Sequence, residues 1–152
     1  VKLKNTLTGR VSAEYSFQIQ VRSVVDAVLD VQPTSDDNII KVNSTGNVPI
    51  ALLSTQKSHG EADTLDATKT VLASIHLNGK SIQPVSYSYV DVDHDGDLDL
   101  LMQFSIPQLF SKGVLDPNDV DQYVQLTAEF VGGVAIDYDL IASDRVKLNR
   151  KK

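Results

Sequence analysis

Nine residues in the second half of the chain carry five aspartates, one at every second position, around a single glycine. The segment runs from Asp91 to Asp99 and reads D-V-D-H-D-G-D-L-D, with Gly96 as its glycine. Carboxylates this close together repel one another in a compact fold unless a cation lies between them. The segment therefore predicts a fold that depends on a hard divalent ion, which prefers oxygen ligands.

The spacing D-x-D-x-D-G-x-x-D is typical of a calcium loop. Carboxylates stand at loop positions 1, 3, 5 and 9, a backbone carbonyl is available at position 7, and the glycine permits a sharp turn. Such a set, completed by water, suits Ca²⁺ better than Mg²⁺. The predicted metal ligands are the side chains of Asp91, Asp93, Asp95 and Asp99 and the backbone carbonyl of Asp97. The alternative interpretation is an aspartate-rich turn in solvent that binds no ion.

The segments on both sides of this loop have strand patterns. Tyr87 and Tyr89 alternate with serines before it, and residues 98–104 form an apolar run after it. In the helix–loop–helix calcium motif, position 12 carries a glutamate that binds through both oxygens. Here that position is Met102. We therefore expect a calcium loop within a β-hairpin, where a structural ion holds two strands together.

Strand patterns recur along the rest of the chain. Residues 12–22 and 124–130 alternate strictly between apolar and polar side chains, and Asn78-Gly79 is typical of a tight type I′ hairpin turn. Further strands are predicted at 24–31, 39–42, 48–53, 134–142 and 145–148, with turns at 32–38, 44–47 and 132–133 and short helical turns around 66–69 and 115–120. The predicted fold is all-β, an antiparallel β-sandwich with a calcium-binding hairpin and one or two short helical turns.

Length and charge narrow the classes of function. The 152 residues fit one domain of ordinary size, and 41% of them are hydrophobic. A net charge of −6 argues against binding to nucleic acid or an anionic membrane, because both need a basic surface. The chain has no cysteine, which excludes disulfides and thiolate chemistry. We expect no nucleic-acid partner and no membrane insertion.

No pattern for catalysis stands out. The three histidines, His59, His76 and His94, have no metal-binding spacing with one another, and ordinary surface or packed roles explain them. No serine lies in a G-x-S-x-G elbow, and no glycine-rich phosphate loop is present. The sequence predicts no catalytic and no organic-cofactor-binding residues, so we expect a protein that is not an enzyme. A small metal-dependent hydrolase is the weakest of the alternatives.

The acidic segment resembles the calcium loops of dockerin, thrombospondin type 3 and FG-GAP modules, the last being nearest in pattern. A longer stretch resembles a poorly characterised module of secreted bacterial proteins. Its patterns I-x-P-x-S, I-x-x-N-S-x-G-x-V-P-V-A-I-L-G-S, D-V-D-G-D-G-D-L-D-L-V-L-H-F, G-x-x-I and S-D-x-V-x-L are similar to residues 31–35, 40–54, 91–104, 133–136 and 143–148. The resemblance implies a calcium-binding accessory module. Gln103 replaces the histidine of the third pattern, so no role of that histidine carries over.

The resemblance also suggests how the chain is organised. It implies a calcium-binding β-sandwich module over residues 28–149, preceded by a strand segment at 1–27 and followed by a basic tail at 150–152. The strand segment is predicted to be an added edge strand or the end of a preceding domain. Because the sequence opens with Val1, without a signal peptide, we interpret it as a piece of a longer protein.

The expected function is that of a calcium-stabilised, non-catalytic accessory module. It would act as an adhesion, spacer or interaction domain of a larger bacterial protein that is secreted or held at the cell surface. Calcium is abundant outside cells, which favours an extracellular location. Besides the calcium ion, candidate partners are a polysaccharide or a cell-surface protein. The main alternative is a carbohydrate-binding module of a secreted hydrolase, which would need exposed aromatic side chains such as Tyr87 and Tyr89.

Overall fold

The computed structural model describes residues 24–61, 64–132 and 136–150. Within these ranges the chain forms ten strands, one α-helix and three 3₁₀-helices. The strands are β1 (Val24–Asp26), β2 (Val28–Val31), β3 (Ile39–Lys41), β4 (Asn47–Leu53), β5 (His76–Leu77), β6 (Lys80–Ser81), β7 (Ser86–Val90), β8 (Asp99–Ser105), β9 (Asp121–Gly132) and β10 (Ile136–Asn149). The helix α1 covers Ile106–Ser111, and the 3₁₀-helices cover Lys57–His59, Ala67–Lys69 and Leu72–Ser74.

The strands form two sheets around one hydrophobic core. One sheet has four strands in the order β2-β4-β8-β7, all antiparallel. The other has the order β1-β10-β9-β5-β6, with β3 pairing farther along β10. In this sheet β1 and β3 run parallel to β10, a detail that the expectation of antiparallel pairing did not include. The prediction of an all-β sandwich is confirmed.

Alternation of side chains decides which face of each strand lies in the core. In β8, Leu100, Met102 and Phe104 are fully buried, while the residues between them are partly exposed. In β9 the buried side chains are those of Val124, Leu126, Ala128 and Phe130. Because neighbouring side chains of a strand point to opposite faces, this period of two places one face of each sheet in the shared core.

The predicted hairpin at Asn78-Gly79 is confirmed. Both residues have positive φ angles, 47° for Asn78 and 71° for Gly79, as a type I′ turn requires. The Asn78 side chain also binds outside its own turn. Its amide nitrogen donates to the carbonyls of Val114 (2.7 Å) and Tyr123 (3.0 Å), and its amide oxygen accepts from the backbone nitrogen of Gln125 (2.7 Å). The turn between β5 and β6 is therefore anchored to β9.

The prediction of two final strands, at 134–142 and 145–148, is wrong. The structure has one continuous strand, β10, through Ser143 and Asp144. Asp144 stays in register with Val124 of β9, and its carboxylate accepts hydrogen bonds from the backbone nitrogen of Val31 (2.8 Å) and from the Asn38 side chain (2.8 Å). Ser143 and Asp144, predicted to separate two strands, thus lie within one strand, and Asp144 links β10 to β2 of the other sheet.

The helical turn predicted at 115–120 is also corrected. Asp116 caps a hydrogen-bonded turn instead, in which its carboxylate accepts from the backbone nitrogen of Asn118 (2.8 Å). The helix lies earlier, in α1, with Pro107 in its first turn and Leu109 buried. The predicted turn at 66–69 is confirmed as a short 3₁₀-helix, and Asp66 caps it by accepting from the backbone nitrogen of Thr68 (3.0 Å).

Four expectations about segments remain, and their outcomes differ. The apolar run at 24–31 is divided between β1 and β2, which lie in different sheets. The strand predicted at 12–22 lies outside the described residues, and so does part of the turn predicted at 132–133. The division into a segment 1–27, a module 28–149 and a tail 150–152 stays a prediction.

Candidate metal centre

The acidic segment forms the connection between β7 and β8, as its flanking patterns predicted. Two residues of this loop have positive φ angles, 66° at His94 and 101° at Gly96. A side chain in place of the hydrogen of Gly96 would be strained by that backbone angle, although no neighbouring atom would obstruct it. The glycine is therefore required for backbone conformation, and it lets the chain turn back toward the first aspartate.

Three of the predicted ligands come together in one group. Oxygen atoms of Asp91, Asp93 and Asp99 all lie within 4.8 Å of one another. Asp99 is fully buried, Asp91 is partly buried and Asp93 is exposed. The group therefore runs from the core to the surface and offers only oxygen donors, which suit hard cations. These residues could hold a metal ion.

Asp99 connects the loop to the rest of the fold. One of its carboxylate oxygens accepts from the backbone nitrogen of Val92 (2.7 Å) within the loop. The other accepts from the backbone nitrogen of Ser54 (2.8 Å), directly after β4. The Ser54 hydroxyl donates to the carbonyl of Leu98 (2.7 Å) and accepts from the backbone nitrogen of Ala67 (2.9 Å). Ser54 thus joins the loop, β4 and the 3₁₀-helix at Ala67–Lys69.

Asp91 has one oxygen that the protein itself leaves unsatisfied. Its Oδ2 accepts from the backbone nitrogen of Gly96 (3.2 Å), across the turn of the loop. Its Oδ1 is buried and has no hydrogen-bond partner. A buried carboxylate oxygen without a partner is costly, because it has lost water and gained nothing in return. A bound cation would supply the missing interaction.

The electrostatics of the group also favour a cation. Burial raises the pKa of Asp93, and the charges of Asp99 and Asp95 raise it further. Burial likewise raises the pKa of Asp99. The hydrogen bonds from Val92 and Ser54 oppose that rise, while the charges of Asp95 and Asp91 add to it. The protein alone therefore disfavours the fully ionised group, and a positive ion would relieve both the burial and the repulsion.

The structure places the other two predicted residues in a neighbouring group. Asp95 and Asp97 lie beside His59, whose Nδ1 is 4.0 Å and 3.9 Å from their respective Oδ2 atoms. Both carboxylate oxygens of Asp97 accept from the Gln56 side chain, at 2.6 Å and 2.7 Å. The predicted role of the backbone carbonyl of Asp97 as a ligand stays a prediction. The membership of Asp95 in the ligand set stays a prediction.

Sequence reasoning missed Ser54, Gln56 and His59. All three lie roughly 35 to 45 positions before their partners in the loop, and no pattern in the chain marks a serine, a glutamine or a histidine as their contacts. Their signal is spatial, since the end of β4 and the residues after it lie alongside the loop. Of the other histidines, His76 is half-buried in β5, with its Nδ1 2.8 Å from the carbonyl of Ser74.

Comparisons with protein-family models, with curated proteins and with solved structures gave no match. In the part of the chain that the structure describes, the helices are all too short or too polar to span a bilayer. The resemblance to a module of secreted bacterial proteins therefore stays an expectation that rests on the residues alone.

Proposed function

We propose that this chain is a calcium-stabilised, non-catalytic accessory module of a larger bacterial protein that is secreted or displayed at the cell surface. The observation that carries the proposal is the group of Asp91, Asp93 and Asp99, with its buried and unsatisfied Asp91 oxygen. The calcium ion would be held by these three carboxylates, the carboxylate of Asp95 and the backbone carbonyl of Asp97.

The position of the site supports a structural role for the ion. Its donors come from one loop, and Asp99 ties that loop through Ser54 to β4 of the same sheet. An ion that neutralises the loop would hold β7 and β8 together and fix the residues that follow β4. This arrangement suits a domain that keeps its shape as a spacer, adhesion or interaction unit. An extracellular location follows from the proposal, because calcium loops of modest affinity fill at the concentrations found outside cells.

A carbohydrate-binding module is the second candidate, and its support comes from β7. Tyr87 and Tyr89 are 51% and 43% exposed, so their rings are accessible. The two rings stand edge to face, with centroids 5.8 Å apart and planes inclined at 65°. Sugar rings stack best on flat aromatic surfaces, and this inclined pair does not form one. A glycan array probed with and without calcium distinguishes the two candidates, because only the second requires sugar binding.

Thermal unfolding tests the calcium proposal directly. A ligand at about a hundred times its dissociation constant stabilises a fold by about 2.7 kcal/mol. For a domain of this size we expect a rise in Tm of roughly 5 to 11 °C when calcium is added to EDTA-treated protein. Magnesium at equal concentration should give a smaller rise, because the loop geometry suits a larger ion. An unchanged Tm with calcium would contradict the proposal, whatever the glycan array shows.

A further inference from the structure

The strand β7 forms one edge of the four-stranded sheet and has no paired strand on its outer side among the described residues. All five of its residues are exposed. The stretch 85–90 reads Val-Ser-Tyr-Ser-Tyr-Val and contains neither a charge nor a proline. Natural edge strands are usually protected by charged side chains, proline, bulges or short length, because an open edge can pair with another chain.

The other edges of the described sheets have such protection. β1, β2, β3 and β6 are two to four residues long, and each contains a charged residue. The edge of β2 is also blocked, since the Asp144 carboxylate of the opposite sheet accepts from the backbone nitrogen of Val31. β7 is thus distinguished by both its length and its lack of charge.

Part of the inner face is uncovered at this edge. Tyr87 lies opposite Met102 and Tyr89 opposite Leu100, and both partners are fully buried. Residues directly opposite each other on antiparallel strands project from the same face of the sheet. The two tyrosines therefore point to the core side, yet about half of each side chain remains exposed. At β7 the core therefore covers the inner face of the four-stranded sheet only in part.

We propose that β7 pairs with β7 of a second copy of this chain, antiparallel and centred on Ser88, to join the two four-stranded sheets into one. In this register Ser88 faces its own counterpart, and Tyr87 of each copy faces Tyr89 of the other. The tyrosines of both copies then lie on the same face, where cross-strand aromatic pairs stabilise a sheet. A pairing centred between two residues would instead place tyrosines opposite serines.

Charge favours a second copy at this edge in particular. The chain carries a net charge of −6, so two copies repel each other least when they meet through an uncharged surface. In the register centred on Ser88, the two Asp91 residues lie at opposite ends of the pair. Six residues of extended chain separate them along the strand direction by about 20 Å, more than the screening length of about 8 Å at physiological salt. The acidic loops therefore do not oppose the pairing.

Sedimentation velocity on the full chain, over a concentration series with calcium present, tests the proposal. We expect a reversible dimer, and Ser88→Lys should raise its dissociation constant at least about tenfold because it places two like charges face to face. Ser143→Lys, the same change at an exposed position in β10, is the matched control and should leave the constant unchanged. Circular dichroism of each variant verifies that the fold is intact.

A mixing experiment tests the register itself. Ser88→Lys and Ser88→Glu should each dimerise poorly alone and should form a heterodimer when mixed, because position 88 faces position 88 only in the proposed pairing. A chain that stays monomeric at every concentration would overturn the proposal, including the case in which the tyrosines bind a glycan instead. A dimer that Ser88→Lys leaves unchanged, or two variants that do not recombine, would overturn it as well. None of these outcomes depends on whether calcium binds the acidic loop.

Discussion

At the scale of single residues, the aspartates of the acidic loop differ in what they contribute to folding and to ion binding. Asp99 is fully buried and accepts backbone hydrogen bonds from Val92 and Ser54, so its carboxylate contributes to the fold before any ion binds. Asp93 is exposed as a residue, and partial desolvation of its carboxyl, together with the charges of Asp99 and Asp95, raises its pKa. Asp93 is therefore the residue at which ion binding can be separated from folding, because its removal breaks few contacts of the protein itself.

Asp93→Asn should change the stability in opposite directions with and without calcium. In EDTA the variant should be more stable than the parent chain, because one repelling charge is gone. In saturating calcium it should be less stable, because a ligand is lost and the calcium dissociation constant rises at least about tenfold, or about 1.4 kcal/mol. Thermal unfolding in both buffers measures the two effects. Asp36→Asn, an exposed acid outside the loop, is the control, and equal signs for Asp93→Asn in both buffers would count against the site.

Ser54→Ala should destabilise the chain with or without calcium. The hydroxyl of Ser54 makes two hydrogen bonds, to the carbonyl of Leu98 and from the backbone nitrogen of Ala67, and both residues of the second bond are buried. Its removal leaves that buried nitrogen without a partner, at a cost of about 1 to 3 kcal/mol. Urea unfolding measures the loss. The exposed helix residue Ser111, changed in the same way, should alter stability much less, and similar losses for the two variants would refute the linking role of Ser54.

At the scale of elements, strands with a regular period could be predicted and irregular ones could not. β9 follows from strict alternation, β8 follows from the apolar run at 98–104, and the hairpin at Asn78-Gly79 follows from its need for two positive φ angles. The continuity of β10 could not be predicted, because Ser143-Asp144 is a pair that usually occurs in turns. Only the contact of Asp144 with β2 explains why a carboxylate stands on the inner side of a long strand.

The same limits apply to the metal centre. The five aspartates are predictable because their spacing is local, and the loop lies between two strands as expected. Their division into two groups is not predictable, because it depends on Gln56 and His59, which approach from another part of the chain. Parallel pairing of β1 and β3 with β10 was missed for a similar reason. Pairing between distant strands is decided by the packing of the whole sandwich.

Asp30→Asn tests the electrostatics of the contact between β2 and β10. Burial raises the pKa of Asp30, and the nearby charge of Asp144 raises it further. A carboxyl with a raised pKa in the folded state binds more protons there than in the unfolded chain, so its contribution to stability falls as pH rises from about 4 through the folded-state pKa. At neutral pH the variant should therefore be more stable, by up to about 1 kcal/mol for a partly exposed charge.

The advantage of Asp30→Asn should disappear as the pH is lowered below 4, because the parent carboxyl is then neutral as well. Urea unfolding at several pH values in EDTA measures this trend, and Asp36→Asn again corrects for the loss of one negative charge. An advantage that stays constant, or that grows toward low pH, would contradict the assigned cause of the shift.

At the scale of the whole molecule, the acidic loop contacts both the four-stranded sheet and the segment that connects the two sheets, which is described at residues 54–61 and 64–75. Asp99 contacts the end of β4 through Ser54, and Asp97 contacts Gln56, the residue just before the 3₁₀-helix at Lys57–His59. An ion that fixes the loop should therefore also fix this connecting segment. The consequence of calcium binding would extend beyond the hairpin to a part of the chain that supplies no ligand.

Limited proteolysis measures that consequence. Lys57 is exposed, next to Gln56, and is a site for trypsin. Trypsin can cut there only when the segment around Lys57 unfolds locally. In EDTA we expect cleavage after Lys57 to be about tenfold faster than in calcium, which corresponds to about 1.4 kcal/mol in the free energy of local opening. Lys112, exposed at the end of α1, serves as the internal control, because it has no contact with the loop among the hydrogen bonds of the described residues.

If both sites became more sensitive to the same extent, calcium would be stabilising the molecule globally. If neither changed, the contacts of Gln56 and Ser54 would not transmit the effect of the ion. A selective increase at Lys57 is the outcome that requires the loop and the connecting segment to be ordered together.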